Sequence, residues 1–241
     1  MEVRNLLKKQ FSKSQKKYIK KKIYPLQFFF GFRDLNKLAE VYETDKFGIH
    51  FYTQHYQTHF APSKNKKIKL LEIGVGGYDN PDRGGNSLRM WKNFFKKGQI
   101  FSIDIFDKTK LEEDRIKIFQ GSQVDKEFLE KVTDEIGEIN IIIDDGSHIN
   151  EHVIESFNFL FPKLKSGGFY VIENVQTSYW AEYGGDNLET NNKTTIMGYF
   201  KSLLDGLNNA EFRIPKYEKS YFDENILSMH FYHNLIFVYK K

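Results

Sequence analysis

The 241-residue chain contains no cysteine, which excludes a disulfide scaffold, thiolate metal sites and cysteine nucleophiles. It has no uninterrupted apolar run long enough to cross a bilayer. It also lacks the pattern of a secretory signal. The apolar stretch Ile23 to Phe32 is broken by Pro25 and Gln27, and no small-residue cleavage site follows. No internal repeat is visible. Tryptophan is scarce at two residues, but 23 Phe and 14 Tyr bring the aromatic share to 16%. With 40% hydrophobic and 28% charged residues, the composition supports a packed core and excludes wholesale disorder. The length suits one large domain with a modest extension, expected to be soluble and cytoplasmic.

The net charge of +4 is unevenly placed. Residues 1–25 hold nine Lys and Arg against Glu2 alone, which leaves the rest of the chain at −4. A mildly acidic body is not a nucleic-acid surface. The basic arm either touches acidic lipid or a polyanion or is a solvated extension. From about residue 66, apolar runs alternate with helical patterns, as in an α/β domain with a mostly parallel sheet. Strands are expected over Ile68 to Ile73, Gln99 to Asp104, Ile116 to Phe119, Ile139 to Asp145 and Gly168 to Glu173, the last entered through a Ser166-Gly167-Gly168 turn. The fourth is nearly all isoleucine, as a strand buried on both faces should be. Val153, Phe157, Leu160 and Phe161 form one helical apolar face closed by Pro162, and Ile196 to Leu207 keep the same period. Ile226 to Tyr232 and Leu235 to Tyr239 read as an antiparallel hairpin turning at His233-Asn234. Residues 1–65 look mostly helical and read as a cap or oligomerisation element, not a separate domain.

Ligands of open α/β sheets bind beyond the carboxyl ends of the strands. That edge carries Glu72-Ile73-Gly74-Val75-Gly76-Gly77 after the first strand and Asp104 at the end of the second. Glycine lets backbone approach a ligand closely, and an acid about 30 residues on can bond a ribose. The turn alone is also compatible with a plain strand-to-helix connection. Its spacing is not G-x-G-x-x-G, and Glu72 within the strand end suits a cationic sulfonium cofactor better than a pyrophosphate. S-adenosyl-L-methionine is therefore the expected cofactor, with Glu72, Gly74, Gly76, Gly77 and Asp104 around it. Ser122 and Gln123, after the third strand, lie beside the adenine or are ordinary loop residues.

Asp144-Asp145-Gly146-Ser147-His148 ends the isoleucine strand, and Glu173-Asn174 ends the next. Two adjacent carboxylates at a buried strand mouth need a cation or hydrogen-bond partners, unless they cap the following helix. Asp145, Glu173 and Asn174 together offer hard oxygen donors of the kind that suit Mg²⁺.

The Asp-Asp-Gly-Ser-His run, a helix, then Gly-Gly-Phe-Tyr-Val-Ile-Glu and the Tyr179-Trp180 pair resemble the metal-dependent sugar O-methyltransferases of macrolide biosynthesis, the mycinamicin and macrocin enzymes. Tyr42-Glu43-Thr44-Asp45-Lys46, Gly85 to Trp91, Asp104 to Lys108 and His230 to Asn234 extend the resemblance over roughly residues 34–240. It implies a class I methyltransferase (Rossmann-like) fold: a seven-stranded sheet, mostly parallel, with a C-terminal antiparallel hairpin. The domain plan is then a basic extension (1–33) and a methyltransferase domain (34–241), itself a helical cap (34–65) and an α/β core (66–241). The family's metal ligands fall on Asp145, Glu173 and Asn174 and its general base on His148. Asp144 is counted with both the catalytic and the cofactor-binding residues. One departure is implied: the relatives place an aspartate where this chain has Asn174, so metal affinity should fall.

The expected reaction is methyl transfer from S-adenosyl-L-methionine to a sugar hydroxyl, with His148 as base and Mg²⁺ assisting. Tyr179 and Trp180 either stack on the sugar or form an apolar lid. Heavy use of lysine, asparagine, isoleucine and phenylalanine points to a nucleotide-linked or capsular sugar, and a homo-oligomer without nucleic-acid partners is expected. The alternatives are a nicotinamide-dependent sugar epimerase or dehydrogenase and a noncatalytic binding protein of the same fold.

Overall fold

The computed structural model describes residues 33–241. The basic extension expected over 1–33 lies outside the described residues, except for Arg33. Seven strands follow in chain order: β1 (Lys69–Ile73), β2 (Gln99–Asp104), β3 (Ile116–Gln120), β4 (Ile139–Asp144), β5 (Leu164–Glu173), β6 (Ile226–Tyr232) and β7 (Leu235–Lys240). They make one sheet of order β3-β2-β1-β4-β5-β7-β6. β1 to β5 pair in parallel, and β7 runs antiparallel to both neighbours. This is the mostly parallel sheet with a terminal hairpin that the sequence predicts. The hairpin turns at His233-Asn234, where Asn234 takes φ +58°, a region asparagine tolerates.

β4 is central because its isoleucines can be dry on both sides. Ile139, Ile141, Ile142 and Ile143 are all buried, each worth roughly 1.5–3 kcal/mol of burial. Helices cover both faces: α1 (Leu35–Tyr42), α2 (Thr53–Phe60), α3 (Asn86–Phe94), α4 (Lys126–Ile136), α5 (Asn150–Lys163), α6 (Ile196–Ser202) and the short α7 (Tyr221–Asn225). One core joins Leu35, Tyr56, Phe60 and Trp91 of α1 to α3 with Leu70, Ile141 and Phe237. The other joins Leu129, Phe157, Phe161 and Phe200 of α4 to α6 with Leu71, Ile142 and Ile236. The segment over 34–65 thus completes one face of the sheet. α1 starts where Asp34 accepts from the Lys37 N–H at 3.0 Å and stops where Glu43 turns left-handed at φ +58°.

Two boundaries differ from expectation. α5 runs through Pro162 and ends one residue beyond it, at Lys163. β5 then begins at once, and the expected glycine turn is a register irregularity against β4, with Gly167 at φ +75°.

Candidate active site

Strand order reverses between β1 and β4, and a cavity of about 1110 Å³ opens beyond their carboxyl ends. Gly74 must be glycine: at φ +97°, a Cβ there would lie 2.3 Å from the Asp145 carbonyl oxygen. Gly76 has open space at its Cβ position, and Gly74, Gly76 and Gly77 all line the cavity. Asp104 lines it too, at the end of β2. Its Oδ2 accepts from the Val75 N–H and its Oδ1 from the Phe106 N–H, both at 2.9 Å, so the glycine turn holds the carboxylate in place. Lys108, fully buried, donates to the carbonyls of Asn80 and Arg83 at 2.6 and 3.1 Å and ties down the loop that follows.

On the β3 side, Ser122 and Gln123 also line the cavity. Gln123 is no ordinary loop residue. Its amide donates to Ser156 Oγ at 2.9 Å and reaches Asp144 Oδ1 at 3.3 Å, while its Oε1 accepts from the Ser147 N–H at 2.8 Å. It therefore locks the Asp-Asp-Gly-Ser-His turn to α5. Asp144 lies behind it, buried against Gln123 and Tyr170, where burial pushes its carboxyl up to about 7. Its side chain is not on the cavity wall.

The wall itself carries Asp145 and His148. His148 takes φ +59°, unusual backbone for histidine, and turns its Nε2 to within 3.9 Å of Asp145 Oδ1. Burial lowers its pKa, with Asp145 pulling the other way, so the imidazole is neutral near pH 7 and can accept a proton.

Behind Asp145 lies a buried acid cluster. The Lys46 ammonium contacts Asp145 Oδ2 at 2.8 Å, Glu173 Oε1 at 2.6 Å and Glu72 Oε1 at 3.3 Å. The Tyr56 hydroxyl donates to Glu173 Oε1 at 2.5 Å. Burial opposes the ammonium, but the three carboxylates outweigh it and hold its pKa well above the ordinary range. Burial also pushes Glu72 up to about 7 and raises Glu173. Glu72 departs from expectation. It does not face the glycine turn but accepts from Ser87 Oγ at 2.9 Å and Trp91 Nε1 at 3.1 Å, on the α3 side of the sheet. Asn174, at φ +55°, lies beside Glu173 with its Oδ1 3.5 Å from the Tyr52 hydroxyl.

These residues fit a hard divalent cation. Glu72, Asp145 and Glu173 offer oxygens within 4.8 Å of one another, and Glu72 Oε1 is buried with no hydrogen-bond partner. The Ser87, Trp91 and Tyr56 donors serve Glu72 Oε2 and Glu173 Oε1, so Glu72 Oε1 is left with only the 3.3 Å ion contact to Lys46. Tyr179 and Trp180 are half-exposed and do not line the cavity; Tyr183, 5.9 Å ring to ring from Trp180, does. Sequence reasoning assigned no role to Lys46, Tyr52 or Tyr56. The signal for Lys46 was present in the Tyr-Glu-Thr-Asp-Lys run.

No protein-family model matches the chain. The mycinamicin VI 2''-O-methyltransferase of Micromonospora griseorubida is 47% identical over 209 residues, covering 86% of this chain and 52% of that protein. The demethylmacrocin O-methyltransferase of Streptomyces fradiae is 45% identical over 211 residues, covering 86% and 53%. Among solved structures, the MycE methyltransferase of the mycinamycin pathway in complex with Mg and SAH superposes with a TM-score of 0.83 at 47% identity, over 86% of this chain and 53% of that one. The chain spans about half the length of the relatives it matches. Over the seven-stranded domain the chain is similar in sequence to the mycinamicin VI and demethylmacrocin O-methyltransferases and has the methyltransferase fold of MycE.

Proposed function

We propose that the protein is an S-adenosyl-L-methionine-dependent O-methyltransferase acting on a sugar hydroxyl. The observation that carries this reading is the shared cavity: the glycine turn and Asp104 on one wall, and His148 on the other beside Asp145. S-adenosyl-L-methionine supplies an electrophilic methyl, which a protonated alcohol attacks poorly. His148 takes the hydroxyl proton, and its left-handed backbone aims the ring into the cavity. Asp104 holds the ribose, while Gln123 keeps the histidine turn fixed against α5. Asp145, Glu173 and Asn174 would hold Mg²⁺, whose chemistry is to lower the pKa of a coordinated hydroxyl. Asp144, buried behind Gln123, orients that amide and is not assigned a proton-transfer step. Tyr179 and Trp180 lie off the cavity wall, so direct stacking on the sugar is not assigned to them.

The relatives favour a methyltransferase over the nicotinamide-dependent and noncatalytic alternatives. Names among them print a sugar attached to a larger compound, rhamnosyl tetracenomycin-C and L-olivosyl-oleandolide, and none supports the nucleotide-linked or capsular sugar expected from composition. The acceptor proposed is accordingly a glycosidically attached sugar. The test has two parts. Calorimetry against S-adenosyl-L-methionine and NAD decides the cofactor. Incubation with sugars attached to natural-product aglycones, and with nucleotide sugars, is read by the mass gain of one methyl. Binding of NAD in place of S-adenosyl-L-methionine would overturn the reading.

A further inference from the structure

Lys46 enters the acid cluster from outside the sheet. Its N–H donates to Thr44 Oγ1 at 3.2 Å, and its carbonyl accepts from the N–H groups of Tyr52 and Thr53 at 2.9 and 3.2 Å. The backbone is thus held on both sides, and the side chain, 1% exposed, reaches the edge of the cavity beside Asp145. Its ammonium occupies the inner oxygens, Asp145 Oδ2 and Glu173 Oε1, and leaves Asp145 Oδ1 on the His148 side. Glu72 Oε1, the third carboxylate contact, has no hydrogen-bond partner. The cluster therefore has acceptor capacity that a single positive charge does not fill.

We propose that Lys46 is a built-in counter-cation and the positioning residue of the metal site. It holds down the affinity of the cluster for divalent ions and reserves the cavity-side oxygen of Asp145 for the ion that serves the reaction. The inference rests on the reading of Asp145 and Glu173 as metal ligands. Its logic is electrostatic. Removing one partner from a buried charge cluster leaves the others uncompensated, and a divalent ion then competes with protons for their oxygens. Such an ion would settle at the inner position, on the far side of Asp145 from His148. Lys46→Met should therefore bind cations more tightly while turning over more slowly. A lysine with a merely structural role would lower both.

The experiment measures Mn²⁺ binding by calorimetry and electron paramagnetic resonance, together with the Tm shift on adding Mn²⁺, for the natural protein, Lys46→Met and Lys46→Arg. The expected result is Mn²⁺ affinity raised about tenfold or more in Lys46→Met, since ligand charge sets cation affinity. Its Tm should respond to Mn²⁺ more than that of the natural protein, and Lys46→Arg, which keeps the charge, should bind Mn²⁺ as the natural protein does. Affinity in Lys46→Met equal to or below that of the natural protein would overturn the proposal. If Lys46→Met does not fold, Lys46→Gln, which loses the charge but keeps a hydrogen-bond donor and all three carboxylates, is judged by the same comparison. A natural protein that binds no Mn²⁺, beside a variant that does, would remove the metal from the proposed function and still support Lys46 as the cation of the cluster.

Discussion

His148 Nε2 stands 3.9 Å from Asp145 Oδ1, while the other oxygen of the same carboxylate is held by Lys46 at 2.8 Å. The proposed base and the acid cluster are therefore joined through one side chain. If His148 takes the hydroxyl proton, His148→Ala should abolish turnover and leave S-adenosyl-L-methionine binding intact, because Gly74, Gly76 and Asp104 do not depend on the ring. General base catalysis contributes roughly 10²–10⁴-fold, so the loss should fall in that range. Single-turnover rates and calorimetry on the same preparation check it. Equal loss of binding and rate would make His148 a structural residue of its turn.

Asp104 is the proposed cofactor residue with the plainest geometry. Both of its oxygens already accept a backbone N–H, from Val75 and Phe106, and each retains acceptor capacity toward the cavity. Asp104→Ala should weaken S-adenosyl-L-methionine by about 1.5–3 kcal/mol, the worth of a charge-assisted hydrogen bond. Asp104→Asn keeps an acceptor for Val75 and should lose less. Calorimetric affinities in the order natural, Asn, Ala are the expected outcome; unchanged affinity in both variants would rule out the ribose contact.

The sheet was legible because its signals are local. The isoleucines of β4 announce two buried faces, and His233-Asn234 between two β-rich runs announces a hairpin. The acid cluster was not. Lys46 meets Asp145 and Glu173 across 99 and 127 residues, and no local pattern marks a lysine as buried. Glu72 shows a different limit. Alternation along β1 puts it on the same face as Leu70, but only the packing of α3 shows that its side chain meets Trp91 and Lys46 there. Gln123 was placed at the right strand end, yet its partners Ser156 and Ser147 come from elsewhere in the chain.

Away from the site, α2 and the hairpin share a histidine cluster with a pH signature. His59 stacks on Phe237, meets His230 edge-on and shares a hydrogen bond of 3.0 Å with Tyr232. Burial, helped by His230 and His55, lowers its pKa to about 4. The unfolded chain, with an ordinary histidine near 6.5, binds the proton first as pH falls. This contribution to stability is therefore complete above pH 6.5 and is lost as pH falls toward 4. Thermal melts from pH 7.5 to 4.5 should show a flatter decline for His59→Gln than for the natural protein. Parallel curves would mean that His59 titrates normally in the folded state.

In the proposed metal site, Asn174 sets how much charge the donor set carries. It sits next to Glu173 at the β5 mouth, and its Oδ1 faces the Tyr52 hydroxyl at 3.5 Å, an acceptor role a carboxylate can also fill. Asn174→Asp should therefore be tolerated by the fold while adding one negative charge to the donor set. Ligand charge count tunes cation affinity, so the Mg²⁺ concentration for half-activation should fall by roughly tenfold in the variant. The opposing effect is repulsion from Glu173 and Asp145, which should appear as a lower Tm in chelator that Mg²⁺ restores. Turnover and melting are measured in chelator and then titrated with Mg²⁺, for both proteins side by side. Full activity in chelator with no response to Mg²⁺ in either would leave proton removal to His148 alone, with Glu173 orienting the sugar.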